Sequence, residues 1–311
     1  MQISGAMSNI RIGTCGYSYP GAPPKGWDGV FYPAERRRGF DELSYYADFF
    51  DTVEINSSFY RAPAPAMTRA WAAKTPDGFE FSVKAWQKFT HATRLGEPGT
   101  ARERWEEPTA DDVELFKQAI APLGEAGKLG ALLFQYPAGF YFTPANAQRV
   151  AWTLEAFHDF EKVVELRHRS WSDRRALTEK LLGDGGAAWA VIDEPKFASS
   201  VRQPFAPSRG VFYLRLHGRN SAQWWEHGES WERYDYLYGA EKMQALATKV
   251  KEIAGRPETR KIRVYLNNHA RGRAVADGLM LKRALGLDVP QLSRELRDAF
   301  PELHKTTQRN V

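Results

Sequence analysis

The sequence predicts an α/β fold, one TIM-like (β/α)8 barrel over residues 9–311, from three observations. Short apolar runs alternate with stretches of helical periodicity along the whole chain, the pattern of strands joined by crossover helices in a parallel sheet. Eight such runs can be counted, and eight favours closure into a barrel over an open doubly wound sheet. No Gly-x-Gly-x-x-Gly follows the first run and no P-loop occurs, so the fingerprint of a nucleotide-binding sheet is missing. Residues 1–8 read as an extension outside the fold.

Residues 9–16 (NIRIGTCG) form the first expected strand. The loop 17–33 carries Tyr17, Tyr19, Trp27, Phe31 and Tyr32, too many aromatics for solvent, and they are expected to pack over a strand end. Leu43, Tyr46, Ala47 and Phe50 at helical spacing predict a helix over 41–50, and 52–59 (TVEINSSF) the second strand. An alanine-rich helix, 65–74, leads through the turn Thr75-Pro76-Asp77-Gly78 into the third strand, 79–86 (FEFSVKAW). Residues 88–111 are read as an irregular, charged insertion. A helix over 111–126 buries Val113, Phe116 and Ile120 before the fourth strand, 131–137 (ALLFQYP).

Thr143-Pro144 is an N-cap with proline at the first helical position, starting a helix to 157. The fifth strand is 163–171 (VVELRHRSW), after which Ser172-Asp173 is expected to cap a helix that Gly183 to Gly186 ends. The sixth strand is 187–195 (AAWAVIDEP). Three prolines within 194–210 leave little helical periodicity, so the crossover helix after strand six is expected to be reduced. The seventh strand, 211–218 (VFYLRLHG), is followed by a tryptophan-rich loop and a helix over 240–254 with Met243, Leu246, Val250 and Ile253 as its buried stripe. The eighth strand, 261–268 (KIRVYLNN), a helix over 273–285 and an amphipathic segment over 292–300 complete the chain.

Composition narrows the classes of function. A net charge of +5, from 43 basic against 38 acidic residues, suits a phosphate-bearing partner without demanding one. The single Cys15 rules out an intramolecular disulfide and a cysteine-built zinc site, which fits a reducing compartment. With no apolar run approaching a membrane span, a soluble cytoplasmic protein is expected, with no membrane partner and no partner protein implied.

Parity along the strands selects the candidate site. In a strand successive side chains face opposite ways, so Glu165 and Arg167 share one face while Val164, Leu166 and His168 share the other. His168 therefore reads as a core histidine facing the helices. Thr14, Glu54, Asn56, Lys84, Gln135, Glu165, Arg167, Asp193, Arg215, His217 and Asn267 or Asn268 all fall at strand ends where barrel enzymes carry their active residues. Lys84, Arg167 and Arg215 could clamp a phosphate or carboxylate, with Asn56, Gln135 and Asn267 reading hydroxyls. Glu54, Glu165 or Asp193 would then be the general acid or base, and His217 a second proton carrier. The expected function is binding or turnover of a small anionic ligand, by hydrolase or isomerase/lyase chemistry.

Three other readings compete. The charges could merely neutralise one another in a structural network. A mononuclear divalent metal could sit among Glu54, Glu165, Asp193 and His217, but cations in the same mouth oppose it, so no metal ligand or cofactor is assigned. Of seven histidines only His217 lies clearly on an inward face, which leaves a histidine-rich zinc cluster unsupported. A nucleic-acid-binding barrel, nuclease-like or repair-like, would use the excess of base together with Trp27, Trp86, Trp105, Trp224, Trp225 and Trp231. Against it, the basic segments 94–104 and 271–285 form no continuous stripe. Cys15, a conceivable nucleophile, reads better as packing.

Several stretches resemble the YecE-like family, a domain of unknown function. They are Ile12-Gly13-Thr14-Cys15-Gly16-Tyr17-Ser18, residues 52–61, Lys84-Ala85, the His91 segment, residues 164–171, residues 214–219 and Tyr265-Leu266-Asn267-Asn268. The resemblance implies a TIM-barrel-like fold with a polar cavity at the strand ends, and no settled reaction. The sequence departs from the family pattern at Cys15, where a serine is common, and at His269, where an aspartate often follows the two asparagines.

Overall fold

The computed structural model describes residues 9–95 and 102–304, without the side chains of 93–95 and 102–104. The expected extension 1–8 lies outside these described residues. The chain is an α/β protein with parallel sheets. Its strands are β1 (Ile10–Thr14), β2 (Thr52–Ile55), β3 (Glu80–Lys84), β4 (Thr93–Leu95), β5 (Arg102–Arg104), β6 (Leu129–Gln135), β7 (Lys162–Glu165), β8 (Ala187–Trp189), β9 (Val191–Asp193), β10 (Val211–Leu216) and β11 (Lys261–Leu266). One sheet has the order β1-β11-β10-β9 and a second the order β2-β3-β6-β7-β8. Between them run helices α1 (Glu42–Ala47), α2 (Pro65–Ala73), α3 (Ala110–Glu125), α4 (Pro144–Ala156), α5 (Arg169–Asp173), α6 (Arg175–Asp184), α7 (Gly239–Ala254), α8 (Arg273–Leu285) and α9 (Arg294–Ala299).

Two compact units share the chain: Met1–Glu54 with Ile192–Lys196 and Gly210–Val311, and Ile55–Val191 with Phe197–Arg209. In the first, β1 and β10 flank β11 in parallel, with Ile10 opposite Ile262 and Val211 opposite Lys261. The aromatics of the loop after β1 do pack: Trp27, Phe31 and Tyr32 are buried with Tyr46, Phe49 and Phe50. In the second unit Phe89, Phe116, Phe134 and Phe157 form a core of mutually edge-on and tilted rings.

Local chemistry sets the helix starts. Thr109 and Asp112 close a reciprocal capping box on α3, and the Thr143 hydroxyl accepts from the Asn146 N–H ahead of Pro144 on α4. Five expectations change. The insertion 88–111 is not wholly irregular, since β4 and β5 pair antiparallel within it. The sixth expected strand breaks into β8 and β9, although the Ala190 N–H between them still bonds to the Val164 carbonyl. The fifth ends at Glu165, so Arg167 stands in the following loop. Ser172 starts no helix: His168 caps α5 by accepting from the Ser170 N–H, and the Ser172 hydroxyl binds the Arg169 carbonyl. His168 is therefore a half-buried cap, not a core residue. Residues 194–210 hold no helix, as their prolines dictate.

Candidate functional site

In the first unit, β1 and β2 approach so closely that a Cβ on Gly13 would stand 2.1 Å from the Thr52 carbonyl oxygen. Only glycine fits there. The Gly16 N–H then bonds to the Glu54 carbonyl, and Cys15 bridges Glu54, which fixes the ends of both strands. On β10 Tyr213 and Arg215, two residues apart, share one face of the strand. Glu54 accepts from Arg215 Nε at 3.0 Å, from Arg215 Nη2 at 2.7 Å and from the Tyr213 hydroxyl at 2.7 Å. The pair is dry, with 0% of Glu54 and 1% of Arg215 exposed. Cys15 Sγ lies 3.7 Å from Arg215 Nη2, and burial together with the Glu54 charge pushes its thiol pKa well up, the opposite of an activated nucleophile.

Beside this cluster Asp193, at the end of β9, accepts from Arg219 at 2.8 and 2.7 Å and from the Tyr238 hydroxyl at 2.8 Å. The same Tyr238 oxygen accepts from the Gly218 N–H at 3.0 Å. His217 bonds through Nδ1 to Asn267 Nδ2 at 2.9 Å. Asn268 donates to Asp277 at 2.7 Å, and the other acceptor positions of Asp277 take the Tyr238 and Gly239 N–H groups at 3.0 and 2.9 Å at the start of α7. Burial pushes the Asp277 carboxyl up to about 7 against those donors.

The second unit carries the other predicted residues. Lys84 is in register with Leu133 on β6, Gln135 lies two residues further on the same face, and Gln135 is in register with Glu165 on β7. Lys84, Gln135 and Glu165 therefore share one face of three adjacent strands. Arg167 reaches back to this face, its Nε 3.8 Å from Glu165 Oε1, with 14% of its side chain exposed against 0% for Glu165. The Lys84 ammonium stands 3.9 Å from the centre of the Phe59 ring, and His91 meets that ring edge-on at 4.9 Å. Burial, with the Lys84 charge added, lowers the His91 pKa to about 4. Asn56 caps the short 3-10 turn that carries Phe59, without a side-chain hydrogen bond in that role.

The structure thus brings Glu54 to Arg215, His217 to Asn267, and Lys84, Gln135, Glu165 and Arg167 to one sheet face. Asp193 turns to Arg219 and Tyr238 instead. Sequence reasoning missed those two partners and Asp277. The signal for Asp277 was present: an acidic residue inside the otherwise apolar run AVADGLML of α8. Among the described residues, no three His, Cys, Asp or Glu side chains are grouped as a metal would require. No helix among them is long and apolar enough to cross a membrane.

Comparison with known proteins adds a family. The model of the family described as "Protein of unknown function DUF72" matches residues 11–302. The chain is 26% identical to the UPF0759 protein YunF of Bacillus subtilis over 286 residues, 88% of this chain and 98% of that one. It is 29% identical to the UPF0759 protein YecE of Escherichia coli over 139 residues, 44% of this chain and 45% of that one. The crystal structure of a DUF72 family protein from Thermotoga maritima superposes with a TM-score of 0.74 at 30% identity, covering 89% of this chain and 99% of that one. One from Enterococcus faecalis gives the same TM-score of 0.74 at 23% identity, over 91% and 98% of the two chains.

Proposed function

We propose, for a chain that belongs to the DUF72 family of proteins of unknown function, that it binds and transforms a small anionic polar substrate at the strand ends β3, β6 and β7. The observation that carries this reading is the face shared by Lys84, Gln135 and Glu165, with Arg167 set against Glu165. Three adjacent strands place the outer two roughly 10 Å apart. Lysine and arginine side chains are long enough to meet over that gap on a phosphate or carboxylate. Gln135 supplies a neutral hydrogen-bonding group between them. Glu165 is the general base or acid, because a carboxylate beside a bound substrate and a cation can take or return a proton.

Arg215 has a different part in this proposal from the one its sequence position suggests. Its guanidinium is committed to Glu54 at two points, so the Glu54–Arg215 pair positions β2 against β10 and does not clamp substrate. A closed eight-stranded barrel and a cytoplasmic location, both expected from the sequence, belong to the same proposal.

A thermal-shift screen of sugar phosphates, nucleotides and simple carboxylates tests the reading. A ligand at a hundred times its dissociation constant should add roughly 2.7 kcal/mol of stability, and Lys84→Ala should abolish the shift. If no charged compound moves the melting temperature, the charges on this face are a structural network and the proposal falls.

A further inference from the structure

A cavity lies within the first unit and shares no residue with the face that carries the proposed function. It encloses about 300 Å³ and is lined by Ser18, Tyr19, Lys25, Glu229, Trp231 and His269, among others. That is the small end of the range for ligand pockets. Its aromatic walls have their faces already in use. Tyr19 sits between Trp27, at 4.4 Å, and the His269 ring, stacked at 4.7 Å and 14°, while Tyr234 covers His269 at 5.1 Å. Arg271 stands over Trp231 at 5.8 Å. Tyr19 and one side of Trp231 are thus already engaged, which weakens the stacking that a flat base would need.

What the cavity offers is hydrogen bonding without net charge. Lys25 and Glu229 neutralise each other at 3.0 Å. His269 Nδ1 lies 3.2 Å from the Asn267 carbonyl, which assigns the hydrogen to Nδ1 and leaves Nε2 as an acceptor. Burial lowers the pKa of this ring to about 4, so it is neutral at ordinary pH. The Trp231 indole N–H is covered and finds no acceptor among the described residues. A small rotation towards a ligand oxygen would supply one. Ser18 and Ser230 add hydroxyls that both donate and accept.

We propose that this cavity binds a neutral sugar ring. The donors and acceptors of Ser18, Ser230, Trp231 and His269, apolar surface from Pro20 and zero net charge suit a polyhydroxylated ring and give no advantage to an ion. The site uses none of Lys84, Gln135, Glu165 or Arg167, so it stands or falls separately from the anion site.

Saturation-transfer NMR on the full chain tests it, with D-glucose, D-galactose and N-acetyl-D-glucosamine as probes and D-glucuronate and D-glucosamine as charged counterparts. The neutral sugars should show transfer with unchanged affinity between pH 6 and 8 and at raised salt, because the buried His269 ring is already neutral there and Lys25 and Glu229 offset each other. Trp231→Ala and His269→Ala should each weaken binding about tenfold or more, while Trp225→Ala, at a side chain 56% exposed and outside the cavity, should not. If Trp231→Ala does not fold, Ser18→Ala and Glu229→Gln at the rim carry the same expectation. Absence of transfer from all three neutral sugars, tighter binding of either charged sugar, or full affinity retained in every folded cavity variant would overturn the proposal.

Discussion

The Arg215 guanidinium grips Glu54 at two points, Nε to Oε2 at 3.0 Å and Nη2 to Oε1 at 2.7 Å, with the Tyr213 hydroxyl on the same carboxylate. Removing one member of a pair this dry leaves an uncompensated charge inside the protein. Arg215→Met or Glu54→Gln should cost about 3–5 kcal/mol in urea unfolding, and Tyr213→Phe about 1.5–3 kcal/mol for a hydrogen bond to a charged group. A loss below about 1 kcal/mol for both charge variants would mean that water reaches the pair.

Arg167 should behave differently. Its Nε stands 3.8 Å from Glu165 Oε1, and its side chain keeps 14% of its exposure, as a group open to ligand would. Arg167→Ala should therefore keep most of the melting temperature and lose affinity for whichever anion the screen finds. Glu165→Gln should keep binding and lose turnover. An Arg167 variant that melts far earlier yet binds normally when folded would make the pair structural.

Asp277 should give stability a downward slope with pH. Its folded-state pKa is raised from 3.8 to about 7, so the folded protein holds the proton more tightly than the unfolded chain. That contribution is full below pH 3.8 and is lost as pH rises through about 7, up to roughly 4 kcal/mol if the shift is fully expressed. Asp277→Asn, a neutral isostere, should remove the slope when its unfolding free energy is compared with the parent protein across this range. A parent protein that instead gains stability relative to the variant as pH rises would show that the Tyr238, Gly239 and Asn268 donors hold the carboxylate ionised.

His269 and His91 should act in the opposite sense. Both imidazoles are lowered from 6.5 to about 4 by burial, so between those values the unfolded chain takes up protons that the folded protein refuses. Stability present above pH 6.5 is lost as pH falls through about 4, at most roughly 3 kcal/mol for each ring. Because Asp277 opposes this slope, the effect is read from the difference between the parent protein and His269→Gln or His91→Gln. A difference that stays constant from pH 7 to pH 4 would place the ring in contact with water.

Side-chain parity made the sheet faces legible. Glu54, Arg215 and Tyr213, or Lys84, Gln135 and Glu165, could be placed because a period of two decides which way a strand residue points. The partners of Asp193 could not. Arg219 and Tyr238 lie in and beyond a long loop, and nothing in their spacing says where that loop folds back. Asp277 was hidden for a related reason: its three donors come from a loop, a helix start and a strand end, joined only by tertiary packing. The break between β8 and β9 also left no mark, since AAWAVID reads as one uninterrupted apolar run.

The order of synthesis meets an awkward constraint in the first unit. Ile10 on β1 pairs with Ile262 on β11, so β1 waits for a partner made about 250 residues later. At about 5–20 residues per second, translation needs on the order of 10–50 s to supply it. The second unit, almost continuous from Ile55 to Val191, has its own strands available much sooner. While the ribosome works, β1 is a strand without β11, and the Trp27 indole N–H waits for the His269 carbonyl that accepts it. Among the described strands β1 therefore has the longest wait for its partner, and slowed translation before β11 would prolong its exposure to chaperones and to aggregation.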